Sequence, residues 1–198
     1  MNQVLPPAPL VPIPLPLNRL VPPPSLFVHP SRLHGQSHVA RVMVHAFRLI
    51  EATGWVEEAP RLWAAVYLHD LARTHDGVCY RHGGDAMKQF GGREDLRALF
   101  AEGGVVEDDY PLIHTAVVHH SLPKELPPTH PHWRLAALMK DADGLDRVRL
   151  GDLDPRYLRH EPSHGMVDFA ESLYSRTHGR IAEGESHFEH LWASSHAI

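Results

Sequence analysis

Ten of the eighteen prolines in this chain fall within residues 1–30, and beyond them the apolar residues settle into helical spacing. Proline fixes φ and has no backbone N–H, so Pro6-Pro7, Pro12, Pro14, Pro16 and Pro22-Pro23-Pro24 exclude a helix or a central strand there. The stretch is expected to run as polyproline II or irregular coil. Its Leu, Val, Ile and Phe side chains are more apolar than a solvated linker carries. Such an arm packs either on its own domain or on a partner subunit in a homodimer; a proline-motif ligand for another protein is a third reading. Two units are expected, a proline-rich arm over 1–30 and a helical domain over 31–198. The N-terminus has no basic region and proline interrupts any apolar core, which argues against a signal peptide.

After Gly35, Val39, Val42, Met43, Ala46, Phe47 and Ile50 recur at three- and four-residue spacing until Gly54, a stop signal. Leu62, Ala65, Val66 and His69 carry the same pattern through a second helix expected over 57–73. Residues 74–84, rich in Gly, His and Asp, read as a loop. Shorter helices are expected over 85–90, 94–101 and 109–120. Pro123, Pro127, Pro128 and Pro131 then mark an exposed connection. Leu135, Leu138, Met139, Ala142 and Leu145 make a further stripe, and two last helices are expected over 163–182 and 185–195. No strand pattern and no internal repeat occurs. The expected fold is all-α in one domain.

With 198 residues, 43% of them hydrophobic, the chain can bury one core. A net charge of −5 and a pI near 6.4 argue against a general nucleic-acid binder. One cysteine, Cys79, leaves no internal disulfide and fits a reducing compartment, so the expected location is the cytoplasm. No apolar run approaches the ~18 residues of a membrane span. Histidine is the outlier at 18 residues. Those outside the motifs below (His29, His130, His132, His160, His164, His178, His187, His190 and His196) read as surface residues, and His114 as a packed core residue. Trp55, Trp63, Trp133 and Trp192 read as core or interface packing.

Four pieces of chain share a chemical logic: His38, His69-Asp70, His119-His120, and an aspartate among Asp141, Asp143 and Asp146. Each sits in or at the end of an apolar helical stretch. Imidazole nitrogens and carboxylate oxygens converging from several helices suit a divalent cation. Adjacent His69 and Asp70 at a helix end can both reach one cation, and Asp70 is suited to bridge two. A cation in an open site lowers the pKa of bound water from about 15.7 toward roughly 7 and neutralises charge building on a phosphoryl oxygen. Asp141 and Asp143 point about 200 degrees apart on a helix, so both cannot be ligands.

In order and spacing, His38-Val-Ala-Arg41-Val42, Leu68-His69-Asp70 and Asp143-Gly-Leu-Asp146 resemble the HD-domain superfamily of metal-dependent phosphohydrolases, whose signature H…HD…D is carried on a helical bundle. The resemblance covers roughly residues 32–160. It is closest to a bacterial subgroup with HGxxHxxRV, here His34-Gly35-Gln-Ser-His38-Val-Ala-Arg41-Val42, with HGxxxA at His82–Ala86, and with a DADxLD run at Asp141–Asp146. It implies His38, His69, Asp70 and Asp143 as ligands of one cation. Family members with two metals use further histidines, and His82 and His120 fall in matching positions. Two readings stay open: a second metal on these residues, or His82 capping a helix that starts near Gly84 while His119 and His120 line the pocket. Arg73 stands where some members have lysine or an acidic residue; it reads as a phosphate clamp or as a cation at a helix C-terminus. Arg41 reaches the site or forms a structural ion pair, and Arg147 is a weaker candidate of the same kind. Asp146 orients a ligand or contacts a ribose hydroxyl. His75-Asp76, a second HD dipeptide, reads as a loop beside the pocket.

The expected function is hydrolysis of a phosphomonoester or phosphodiester of a nucleotide-like small molecule. Asp70, Arg73 and Arg41 would be catalytic, and Arg73, Asp146 and Arg147 would bind substrate. The cofactor is one or two divalent ions; Mn, Fe, Zn, Ni and Mg are not distinguished. A di-iron oxygenase of the same superfamily and a non-catalytic metal or nucleotide sensor are the alternatives.

Overall fold

Helix α1 (Gln36–Thr53) is buried almost from end to end, with Val39 to Phe47 all inside. A helix buried on nearly every face has to be surrounded. In the computed structural model, which describes residues 11–198, that is its place. Around it lie α2 (Ala59–Leu68), α6 (Trp133–Leu145), α7 (Glu161–His164), α8 (Val167–Thr177) and α9 (His187–Ser195). A second layer, α3 (His82–Phe90), α4 (Glu94–Glu102) and α5 (Tyr110–His120), closes the α2 and α6 side. The fold is all-α in a single domain, and no strand occurs among the described residues. No described helix is long and apolar enough to cross a membrane.

Pro6-Pro7 and the rest of residues 1–10 lie outside the described residues. The following part of the arm packs on the chain's own helices. Ile13, Leu20 and Val21 are buried in the common core. Prolines leave few backbone donors, so the arm is tied down largely through its carbonyls, with Val28 N–H donating to Leu71 O at 2.9 Å. Trp63 Nε1 donates to Leu20 O at 2.9 Å, and Gln36 Nε2 to Pro22 O at 3.1 Å.

Two helices end earlier than periodicity predicts. α2 stops at Leu68 instead of Arg73 because the His69 side chain takes over the ladder. Its Nδ1 donates to Val66 O at 2.7 Å, the carbonyl that Asp70 N–H would claim in a continuing helix. The stretch 163–182 divides into α7 and α8 at Gly165-Met166 and ends at Thr177, shortly before Gly179 at φ 67°. Three histidines also sit elsewhere than expected. His160 is buried between Trp55 and Trp133, each ring centroid 5.3 Å away, and binds Asp141 through Nδ1 at 2.9 Å. His187 is buried at the start of α9. His114 is exposed, because the core face of α5 is formed by Ile113, Ala116 and Val117.

Among the described residues, His45 is fully enclosed with neither ring nitrogen hydrogen-bonded, its edge against Phe169 at 6.0 Å. Burial drives its pKa from the ordinary 6.5 down to about 4, partly offset by the Asp146 charge. A depressed imidazole pKa stabilises the fold fully above pH ~6.5 and less as pH falls toward 4, because only the unfolded chain takes up the proton. Equilibrium unfolding of His45→Leu between pH 7 and 4 is therefore expected to show a shallower acid loss, by up to roughly 3 kcal/mol.

Candidate metal centre

The first turn of α1 delivers His38, the end of α2 delivers His69 and Asp70, and the last turns of α5 and α6 deliver His120 and Asp143. His82 opens α3, and Gly83 explains how it gets close. A Cβ on Gly83 would stand 2.1 Å from Val117 O, so only glycine lets α3 lie against α5 with His82 facing His120. Gly35 plays the same part before His38, where a Cβ would meet Ser31 O at 2.2 Å.

Asp70 is the hub. Its Oδ2 lies 3.0 Å from His34 Nδ1, 3.4 Å from His38 Nε2 and 3.8 Å from His69 Nε2. Its Oδ1 lies 3.0 Å from His82 Nε2 and 3.8 Å from His120 Nε2. Asp143 Oδ1 approaches His38 Nε2 at 3.3 Å. Three overlapping groups, His34-His38-Asp70, His38-His69-Asp143 and His69-Asp70-His120, each bring donor atoms within 4.8 Å of one another.

The tautomers show what such a cluster suits. Nδ1 of His82 donates to Cys79 O at 2.6 Å, and Nδ1 of His120 to Val117 O at 2.5 Å. A carbonyl only accepts, so both protons are on Nδ1 and both Nε2 atoms carry lone pairs. Yet these two Nε2 atoms are 2.7 Å apart. Two facing lone pairs repel unless a cation or an added proton lies between them. His69 is fixed in the same way by Val66 O, its Nε2 being 3.2 Å from His38 Nε2. Ligand histidines commonly donate their other nitrogen to a carbonyl or carboxylate, as here. The residues present fit a divalent metal ion.

The charges are consistent with that fit. Burial pushes the His69 pKa down to about 3, against the pull of Asp70, so this imidazole stays neutral. Burial also opposes charge on His38, but hydrogen bonds to Asp143, Asp146 and Asp70 outweigh it and hold its pKa near 9. A cation would compete with that proton for Nε2. Burial alone would raise Asp70 and Asp143, yet the surrounding imidazoles keep both carboxyls well below their usual range.

Behind the cluster, Asp146 fixes His38 by accepting from Nδ1 at 2.8 Å. Arg41 holds Asp146 in turn with two bonds, Nε at 2.6 Å and Nη2 at 3.0 Å. Both are buried, so Arg41 and Asp146 lie behind His38 and do not line the pocket above the cluster. Asp141 is turned away, accepting from the backbone N–H groups of Arg159 and His160 ahead of α7. His120 joins the cluster while its neighbour His119 does not. Arg73 donates to Asp70 Oδ1 at 2.9 Å and to Gly77 O at 3.2 Å. Arg147 is exposed and paired with Asp152.

Two residues near the hub carry no role in the sequence reading. His34 was visible only as part of the His34-Gly35 motif, and Arg149 stands among several arginines without a distinguishing signal. Arg149 donates to Leu33 O and Asp146 O, each at 3.0 Å, which ties the chain before α1 to the turn after α6.

The cluster floors a pocket of about 330 Å3 lined by Arg73, Asp76, Tyr80, Arg147 and Arg149, among others. No family model matches the chain, and no curated protein or solved structure does either.

Metal-free protein titrated with Mn, Zn or Fe(II) is expected to gain about 3 kcal/mol of stability at a hundredfold excess over Kd, read as a rise in melting temperature. Asp70→Ala removes the carboxylate that two of the three groups share and should abolish the rise; an equal rise in that variant would place the metal elsewhere.

Proposed function

We propose that this chain is a metal-dependent phosphohydrolase of the HD type, acting on a phosphomonoester or phosphodiester of a nucleotide-like small molecule. The observation that carries the reading is Asp70, whose two oxygens face different histidine groups on the floor of an arginine-lined pocket. His38, His69, Asp70 and Asp143 would hold one cation, and His82 and His120 with the other oxygen of Asp70 a second. Bound there, divalent cations acidify a coordinated water and neutralise charge on a phosphoryl oxygen.

The chain's own groups supply the rest. Asp146 and Arg41 keep the His38 ring in one tautomer and one orientation. Arg73 Nη2 and Arg147 Nη1 have no protein partner among the described residues, and both arginines line the pocket, where they can clamp phosphate oxygens. The ordered resemblance to the HD pattern, together with the lack of a GxSxG motif, points to activated water rather than a side-chain nucleophile.

The test is phosphate release by metal-loaded protein from a panel of phosphomonoesters and phosphodiesters. Release is expected with wild type and should fall to background in Asp70→Ala. Silence across the panel, or an Asp70→Ala variant as active as wild type, would overturn the reading. The histidine-rich donor set also suits iron. Oxygen consumption by the iron-loaded protein, without phosphate release, would favour the oxygenase instead.

A further inference from the structure

The metal cluster stands at the border of two cavities. The first is the arginine-lined pocket; the second, of about 530 Å3, lies between residues 122–125, α6 and residues 153–159. His120, Asp143, Arg147 and Asp152 line both. Asp143 is the open edge of the cluster, with 27% of its side chain exposed while His38 has none. A substrate whose phosphate reached Asp143 would have its remaining atoms directed into one cavity or the other.

The cavities differ in what they leave unspent. On the first side Arg73, and at the shared border Arg147, keep N–H groups with no protein partner among the described residues. On the second side every cationic nitrogen of Arg159 is engaged. Nε and Nη2 bind Glu125 at 3.0 and 2.6 Å, and Nη1 binds Asp141 at 3.1 Å and Tyr157 O at 2.7 Å. Lys140 Nζ is held by Leu122 O at 2.9 Å and Glu125 at 2.7 Å. Mutually neutralised groups of this kind attract no further phosphate, and Leu122, Pro123, Leu153 and Leu158 add apolar wall. Tyr157 stands in this lining with 73% of its surface exposed. Its backbone is nevertheless pinned, N donating to Asp154 O at 3.1 Å and O accepting from Arg159. An exposed aromatic ring carried on a backbone held in this way can serve as a stacking platform.

We propose that the second cavity receives the neutral, aromatic-bearing body of the substrate, a nucleoside, which stacks on Tyr157 while its phosphate lies at the border under Arg147 and Arg73. The assignment rests on the phosphohydrolase reading and adds the place where the nucleoside sits and its direction of binding. The rival platform is Tyr80, exposed beside Val78 at the mouth of the first cavity.

The experiment has a binding arm and a turnover arm on the full-length, metal-loaded protein. Adenosine, which has no phosphate, is titrated by calorimetry against wild type, Tyr157→Ala, Tyr157→Phe and Tyr80→Ala. Binding is expected to weaken on the order of tenfold in Tyr157→Ala and to survive in the other two. For turnover, KM for adenosine 5′-monophosphate should rise on the order of tenfold in Tyr157→Ala, with KM for glycerol phosphate unchanged. Failure of adenosine to bind wild type overturns the proposal even if phosphate is released, and so does a loss that follows Tyr80 instead of Tyr157. Tyr157-dependent adenosine binding without any phosphate release would leave this site standing and remove the hydrolase reading.

Discussion

Facing imidazole nitrogens around one carboxylate are the constraint on which this structure turns. His82 and His120 present lone pairs to each other at 2.7 Å because backbone carbonyls hold the protons on the far side of each ring. Nothing in ordinary hydrogen bonding rewards that arrangement, since two acceptors gain nothing from proximity. It persists because other parts of the fold over-determine it. Gly83 lets α3 touch α5, and the truncated end of α2 sets His69 and Asp70 between them. The local cost of crowding acceptors is a reason to read the cluster as a binding site rather than as packing.

The same local events shape both fold and site. His69 ends α2 by capturing Val66 O, and that capture is what turns its other nitrogen inward. Asp146 is the first residue of the turn following α6, and its position there brings it under His38 and within reach of Arg41. Arg149, from the same turn, fastens the segment before α1. Moving one of these helices would break a backbone contact and a ligand geometry together. A cation bound at the cluster would therefore stabilise the packing of α1, α2, α3, α5 and α6 at once.

Much of this was legible in the sequence, for physical reasons that can be named. Apolar spacing marked α1 and α6 well, because their apolar residues recur three and four positions apart. It overran at Arg73 because a side-chain hydrogen bond, not an apolar residue, ends α2. It ran α7 into α8 because Gly165 and Met166 carry no strong stop signal between two short polar and apolar stretches. His38, His69, Asp70, Asp143, His82 and His120 were all named from motif order, and the fold brings them together. His34 was missed as a neighbour of Asp70 because its approach depends on the bend before Gly35, which no periodicity records. The burial of His160 was missed because its partners, Trp55, Trp133 and Asp141, come from distant segments.

Helix α6 shows why residue type alone could not divide the roles. Asp141, Asp143 and Asp146 are chemically identical and lie within six residues of one another. Asp141 faces the α7 side and accepts from two backbone amides, a ring N–H and the Ser163 hydroxyl at 2.8 Å, leaving it saturated. Asp143, about 200 degrees around the helix, faces the cluster and among the described residues has only His38 as a close polar partner, so its lone pairs remain available. Asp146 follows where the helix tightens into a 3-10 turn; its oxygens are consumed by Arg41 and His38. A carboxylate whose acceptors are filled by the protein serves structure or orientation, and one with acceptors left over can bind a ligand. By that criterion Asp143 is the carboxylate of the three that can join Asp70 at a cation.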